Sequence, residues 1–213
     1  MTDTTVIIKT IGRKTLKAAI ASAKREGFKP WVISDGVNTA AQGAHKYLQL
    51  GKKWGMYGGM CANVAAAIVP TEFITFLDDD DTFLPGAGDY IRTMLKKHQE
   101  VDLWIGGVRF NSEIALNDKE GKEVWRGTDL ATDPARGLTL GNVAMPTYRT
   151  SIFARVPFTD TLPSDLAEAT DLHHVRACDA RGFKVGWFGT ALYKVRPDMS
   201  DAEGYDRVNG RGA

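Results

Sequence analysis

With 213 residues, 43% of them hydrophobic and 25% charged, the chain has a globular composition and the length for one sizeable domain or two small ones. A formal net charge of +1 gives no electrostatic ground for a polyanion as the main partner, and the only two cysteines, Cys61 and Cys178, lie far apart without metal-type spacing and read as small buried hydrophobes. The start, Met1 to Thr10, lacks a basic stretch followed by a long apolar one, and no apolar run is long enough to span a bilayer, so a soluble, cytoplasmic protein is expected.

Thr5-Val6-Ile7-Ile8 is a β-branched run, and Lys9-Thr10-Ile11-Gly12-Arg13 leads from it to Leu16, Ala19, Ile20 and Ala23 at helical spacing. This predicts strand, loop and helix. Gly27 stops the helix, Pro30 precedes a second strand at Trp31-Val32-Ile33, and Ser34-Asp35-Gly36 closes it. The unit is β-α-β, of the right length for a right-handed crossover. An acid in the position of Asp35 commonly reaches a nucleotide's ribose or base. A plain turn at Asp35-Gly36 is the other reading. Residues 37–60 are poor in apolar periodicity and carry Gly43, Gly51, Gly55, Gly58 and Gly59, which predicts loop with one weak helix or short strand. Cys61 to Ile68 is a run of small helix formers that can lie close against a sheet, and Pro70 ends it.

The next run is the most informative in the chain. Phe73-Ile74-Thr75-Phe76-Leu77 is continuously apolar apart from one threonine, which suits a strand covered on both faces, and it ends in Asp78-Asp79-Asp80-Asp81. The carboxyl end of a strand is where open α/β sheets bind ligands. Four adjacent carboxylates beside a buried strand need a compensating cation, and a hard divalent ion takes one or two of them and completes its shell with water and phosphate. A solvated acidic loop is the alternative.

Pro85 then marks a helix start, with Tyr90, Ile91, Met94 and Leu95 on one face and Lys96-Lys97-His98 at the carboxyl end. Val101 to Phe110 reads as a strand, and Asp118 to Lys122 as the tip of a hairpin. A mixed run through Gly141-Asn142 leads to Ser151-Ile152-Phe153 and the loop Pro157-Phe158-Thr159-Asp160. Asp171 to Arg181 has helical spacing with a terminal Gly182, and Asp171 falls in the first turn, where a carboxylate also serves as a simple cap. His173 and His174 read as surface or packing residues, with His174 sharing a face with Asp171. Phe183 to Val195 gives a final strand pair broken at Gly189, and residues 201–213 a loosely held, flexible tail.

Taken together, Val6-Ile7-Ile8-Lys9-Thr10 with Arg13, Ser34-Asp35-Gly36, Cys61-Ala62-Asn63, Phe76-Leu77-Asp78-Asp79-Asp80-Asp81 with Pro85, Gly141, Phe158-Thr159-Asp160 and Thr170-Asp171 ahead of Arg181-Gly182 resemble the family 2, GT-A-type glycosyltransferases. The motifs occur in the right order over roughly residues 5 to 200. The resemblance implies an α/β, Rossmann-like single domain over residues 1–200, with a mixed, mainly parallel sheet and helices on both faces. Residues 1–100 would form its nucleotide-binding half and 101–200 its acceptor-binding half. It implies inverting transfer of a sugar from a nucleotide-diphosphate donor, expected to be uridine-based, to a glycan, a protein, a lipid-linked sugar or a modified nucleic-acid base.

By the same resemblance, Thr10 to Arg13, Asp35, Asn63, Asp78 and Asp79 lie about the nucleotide sugar, Asp80 ligates Mn²⁺ or Mg²⁺, and Asp171 is the general base. Thr170 stands where the family has a glutamate. Asp198 stands in Arg196-Pro197-Asp198 where many members have a histidine near the metal, which makes Asp198 a further candidate ligand. Two other functions fit parts of the pattern. Asp78-x-Asp80-x-Thr82 after an apolar strand also matches the nucleophile motif of haloacid-dehalogenase-type phosphatases, although two strands precede it and no second acidic pair follows. With Thr170 at the glutamate position, a nucleotide-sugar-binding protein without turnover is the other.

Overall fold

A computed structural model of the protein describes residues 3–55, 58–110, 113–117, 123–127, 146–159 and 170–195. In chain order the elements are β1 (Thr4–Thr10), α1 (Leu16–Arg25), β2 (Trp31–Ser34), β3 (Lys46–Gln49), α2 (Gly59–Ile68), β4 (Phe73–Asp78), β5 (Asp81–Phe83), α3 (Ala87–Lys97), β6 (Leu103–Phe110), β7 (Glu113–Asn117), β8 (Glu123–Gly127), β9 (Thr147–Arg149), a 3-10 helix at Thr150–Ala154, α4 (Thr170–Ala180) and β10 (Val185–Val195).

The strands form one ten-stranded sheet in the order β3-β2-β1-β4-β9-β6-β10-β5, with β7 beside β6 and β8 beside β7. β3, β2, β1 and β4 are mutually parallel, β6 and β10 run with them through the reversed β9, and β5 is antiparallel at the edge. The sheet is therefore mixed and mainly parallel. β6 pairs with β9 at its start and with β7 at its end, so the β7–β8 hairpin takes over the edge that β9 leaves.

Each central strand is apolar on both sides because helices cover both faces. Val6 and Ile8 of β1 and Phe73 and Leu77 of β4 join the core with Leu16, Ala19, Ile20 and Ala23 of α1 and Ile91 and Leu95 of α3. Ile7, Ile74 and Phe76 face the other way, onto Cys61, Ala62 and Ala65 of α2, Ile152 and Phe153, and Val175 and Cys178 of α4. The small residues of α2 do what their sequence implied, and both cysteines are buried, their thiols pushed up to about 12 chiefly by desolvation. The interior also holds a polar knot. The hydroxyls of Thr75 and Thr147 lie 2.6 Å apart, and Tyr193 Oη is 3.4 Å from Thr75, so β4, β9 and β10 are cross-linked inside the sheet.

Two elements differ from the sequence reading. Phe183 to Val195 is not a strand pair. It contains one long strand, β10, whose register against β6 slips between Trp187 and Ala191 and again before Tyr193. The irregularity around Gly189 is thus absorbed as a bulge within one strand. The acid run, in turn, leads into a strand that the sequence reading did not assign. Asp81 begins β5, a short strand fixed from outside by α1: Ser22 Oγ accepts the Phe83 N–H at 3.1 Å, and Arg25 donates to the Phe83 carbonyl at 2.7 Å. The candidate tail 201–213, Gly141-Asn142, Asp160 and Asp198 lie outside the described residues. Among the described residues no helix is long and apolar enough to cross a membrane.

His174 of α4 is a core residue. Its Nε2–H donates to the Val156 carbonyl at 2.7 Å, Nδ1 accepts from the Tyr148 hydroxyl at 3.1 Å, and its ring stacks on Phe158 with centroids 4.0 Å apart. Burial lowers the imidazole from 6.5 to about 4, against the opposing pull of the Val156 carbonyl. The unfolded chain therefore takes up this proton near pH 6.5, whereas the folded protein resists it down to about 4. Stability present above pH 6.5 should fall by about 3 kcal/mol as the pH drops through that window. Urea denaturation of the parent and of His174→Gln across the window checks this: the variant is expected to be less stable at neutral pH and to show a flatter acid dependence.

Candidate functional site

The four acids divide by backbone geometry. Asp78 ends β4, Asp79 and Asp80 form the turn, and Asp81 opens β5. Asp78, Asp80 and Asp81 each offer a carboxylate oxygen, and these oxygens all lie within 4.8 Å of one another. Opposite ligands of an octahedral Mg²⁺ stand about 4.2 Å apart, so small side-chain rotations bring this set onto one hard ion. An all-oxygen donor set at a sheet's carboxyl edge fits Mg²⁺ or Mn²⁺.

Asp79 points the other way and is fully buried. Its Oδ2 accepts the Thr10 hydroxyl at 2.5 Å and the backbone N–H groups of Ile11 at 3.1 Å and Arg13 at 3.4 Å, while Oδ1 pairs with the Arg13 guanidinium at 2.5 Å. Thr10 Oγ1 in turn accepts the Gly12 N–H at 2.9 Å. One carboxylate thereby folds the β1–α1 loop back over the acid run. Two cations offset the cluster. Arg13 also comes within 3.7 Å of Asp80, and Lys9, paired in register with Asp78, places Nζ 3.2 Å from its carboxylate. Burial would lower the Arg13 pKa, but the hydrogen bond to Asp79 and the charges of Asp80, Asp79 and Asp78 outweigh it and raise the value. Arg13 is permanently charged.

The flanks of the site are built from backbone caught by side chains. The Asp35 N–H donates to the Thr10 carbonyl at 2.9 Å, and the buried Asp35 carboxylate accepts the N–H groups of Trp54 at 2.7 Å and Gly55 at 2.8 Å. Gly36 makes this approach possible: at φ +72° it is left-handed, and a Cβ there would stand 2.2 Å from the Lys52 backbone. Trp54, 44% exposed, carries the Lys52 ammonium 4.0 Å over its ring. Asn63 and Phe158 clasp each other, Nδ2 donating to the Phe158 carbonyl at 2.9 Å and Oδ1 accepting its N–H at 2.8 Å.

The structure thus brings Thr10, Arg13, Asp35, Asp78, Asp79 and Asp80 together at the carboxyl edge. Asn63 sits in the first half of α2, and Asp171 in the first turn of α4, its side chain outside the described residues. A line of contacts joins that turn to the acids. His174, one turn after Asp171, stacks on Phe158; Phe158 packs where a Cβ on Gly59 would stand, 3.1 Å away; and a Cβ on the preceding Gly58 would meet the Lys9 stem at 2.7 Å. Sequence reasoning missed Lys9 and Asp81. The signal for Lys9 was available: a lone cation at the end of a buried β-branched strand needs a carboxylate partner.

No protein-family model matches the sequence, and no curated protein matches it. Among solved structures, the fold is similar to that of S. aureus TarS 1-349, with TM-score 0.62 and 17% identity over 97% of this chain and 63% of that one. The same protein in complex with UDP-GlcNAc gives 0.62 and 15% over 91% and 58%. The mannosyltransferase PcManGT from Pyrobaculum calidifontis in complex with GDP-Man and Mn²⁺ gives 0.59 and 9% over 86% and 54%. A putative glucose-1-phosphate thymidylyltransferase from Bacillus anthracis gives 0.53 and 12% over 99% and 96%. These likenesses show the fold, a GT-A-type, Rossmann-like α/β arrangement, and this chain spans about 63% of the TarS chain.

Replacing Asp79 by Ala removes four acceptor contacts and strands Thr10 and Arg13. Because Arg13 is 42% exposed, water recovers part of the loss, and a destabilisation of about 2–4 kcal/mol is expected in urea denaturation.

Proposed function

We propose that this chain is a glycosyltransferase that moves a sugar from a nucleotide-diphosphate donor to an acceptor nucleophile with inversion at the anomeric carbon. One observation carries the reading: three carboxylate oxygens converge at the carboxyl end of a central parallel strand, in a fold shared with proteins solved with UDP-GlcNAc and with GDP-Man and Mn²⁺.

Asp78, Asp80 and Asp81 would hold the divalent ion, Mn²⁺ or Mg²⁺, with Asp198 as a further ligand. Bound there, the ion would supply positive charge against the negative charge that a departing nucleoside diphosphate develops. The chain's own groups prepare the rest. Lys9 and Arg13 offset the charge of the acid run through Asp78 and Asp80. Thr10, Asp79 and Arg13 set the path of the β1–α1 loop, and Asp35 fixes residues 54 and 55 beside it, so that nucleotide and ribose are received between two anchored loops. Asn63 is a positioning residue, since both ends of its amide are engaged by Phe158.

Asp171, on α4, accepts the acceptor's proton as the acceptor oxygen bonds to the anomeric carbon; the bond from that carbon to the phosphate oxygen breaks, and its electron pair leaves with the diphosphate. Support for this placement is the line of contacts from His174 through Phe158 to Lys9 and Asp78. Thr170, with no charge, leaves Asp171 as the carboxylate of that turn. The two halves then divide the work, residues 1–100 receiving the donor and 101–200 the acceptor.

Two variants separate the roles. Asp80→Ala is expected to abolish Mn²⁺-dependent thermal stabilisation by UDP-GlcNAc or GDP-Man, as EDTA does in the parent. Asp171→Asn is expected to keep that stabilisation while transfer falls by on the order of 10²- to 10⁴-fold. Undiminished transfer in Asp171→Asn would refute the base. Donor binding in the parent with neither transfer nor donor hydrolysis would mark a binding protein, and phosphate release from simple monoesters a phosphatase.

A further inference from the structure

The opposite edge of the sheet holds a second concave site. A cavity of about 480 Å³ opens at the amino ends of β1, β2 and β3, walled by Thr4, Trp31 and Lys46, by Lys29 after α1, and by Arg92 and Lys96 of α3. Its volume falls within the range of small-molecule sites, about 300–1,000 Å³. Among the described residues that line it, Lys29, Lys46, Arg92 and Lys96 are cationic and Asp3 is the one acid.

These cations are not equally engaged. Arg92 donates to Asp89 at 2.7 Å and to the Glu26 carbonyl at 3.0 Å, and lies over the Phe28 ring. Lys46 lies 4.1 Å over the Trp31 ring. Among the described residues neither Lys29 nor Lys96 forms an ion pair with a carboxylate. They come from separate elements yet line the same hollow, and together with Lys46 and Arg92 they give it a positive balance over Asp3 that favours an anion.

From this geometry we infer a second binding site, distinct from the acid run, for a phosphate-bearing small molecule. Lys29 and Lys96 grip the phosphate as point charges, and the Trp31 wall with Lys46 accommodates the rest of the molecule. Phosphate chemistry is favoured over a lone carboxylate because the cations arrive from three directions and a polyanionic group meets them all at once. The acid run needs a divalent ion before it attracts phosphate, whereas this edge carries its positive charge permanently. Metal removal therefore separates the two.

The experiment is calorimetric titration of the protein with inorganic pyrophosphate in EDTA. Saturable binding in the millimolar range or tighter is expected, weakened about tenfold or more in the double variant Lys29→Gln/Lys96→Gln and unchanged in Lys17→Gln, a surface lysine outside the cavity. All three lysines are exposed, so the variants fold as the parent does. Absence of saturable binding in the parent, equal binding in the double variant, or an equal loss in Lys17→Gln would each overturn the inference. Because no divalent ion is present, failure here leaves the proposed transfer reaction standing, and failure of that reaction leaves this site standing.

Discussion

Consecutive carboxylates at the end of a buried strand repel one another, and the arrangement holds only because opposite charge is built in beside them. Asp79 provides the hinge of that solution. By turning inward and collecting Thr10, the Ile11 and Arg13 amides and the Arg13 guanidinium, it removes one negative charge from the exposed edge and recruits a positive one. Lys9 performs the complementary task from within the sheet, opposite Asp78. What remains is a set of three carboxylates with converging oxygens, Asp78 and Asp80 partly exposed and Asp81 buried, with Lys9 and Arg13 beside the first two. Loop path, strand ends and charge balance thus follow from where one buried carboxylate points.

The sheet makes this placement stiff. β4 is flanked by parallel β1 and antiparallel β9, and the hydroxyls of Thr75, Thr147 and Tyr193 join β4, β9 and β10 within the interior. Desolvation pushes the Tyr193 phenol up to about 12, against its hydrogen bonds to Thr75 and Thr147, so it stays a neutral partner across the physiological range. α1 then fixes β5 through Ser22 and Arg25, which locates Asp81 relative to Asp78. The candidate ligands come from two strands and the turn between them, each anchored by a different neighbour.

Much of this was legible in the sequence because the relevant signals are local. The β-branched start, the helical spacing of Leu16 to Ala23 and the apolar run before the acids each report burial directly, and the crossover follows from their order. Long-range choices were not legible. Nothing in four identical aspartates says which one turns inward; that depends on the approach of Arg13, more than sixty residues away in the chain. No strand was read at Asp81 because a three-residue strand has too little pattern of its own and exists only through its pairing with β10 and its ties to α1. The break at Gly189 was visible, but whether it separates two strands or bulges within one is decided by β6.

Net charge was the least informative number of all. A total of +1 arises here from segregation: the carboxyl edge gathers Asp78, Asp79, Asp80 and Asp81, and the amino edge gathers Lys29, Lys46, Arg92 and Lys96. Fields from such clusters are felt over roughly a Debye length, about 8 Å at physiological ionic strength, so the two edges act as separate electrostatic environments. On the two proposals made above, a phosphate-bearing molecule would be repelled at the acid edge until a divalent cation reversed the local sign, whereas the basic edge would attract it without assistance. The same ligand chemistry would thus meet opposite requirements at the two ends of one sheet, and dependence on a metal would distinguish the two proposed sites.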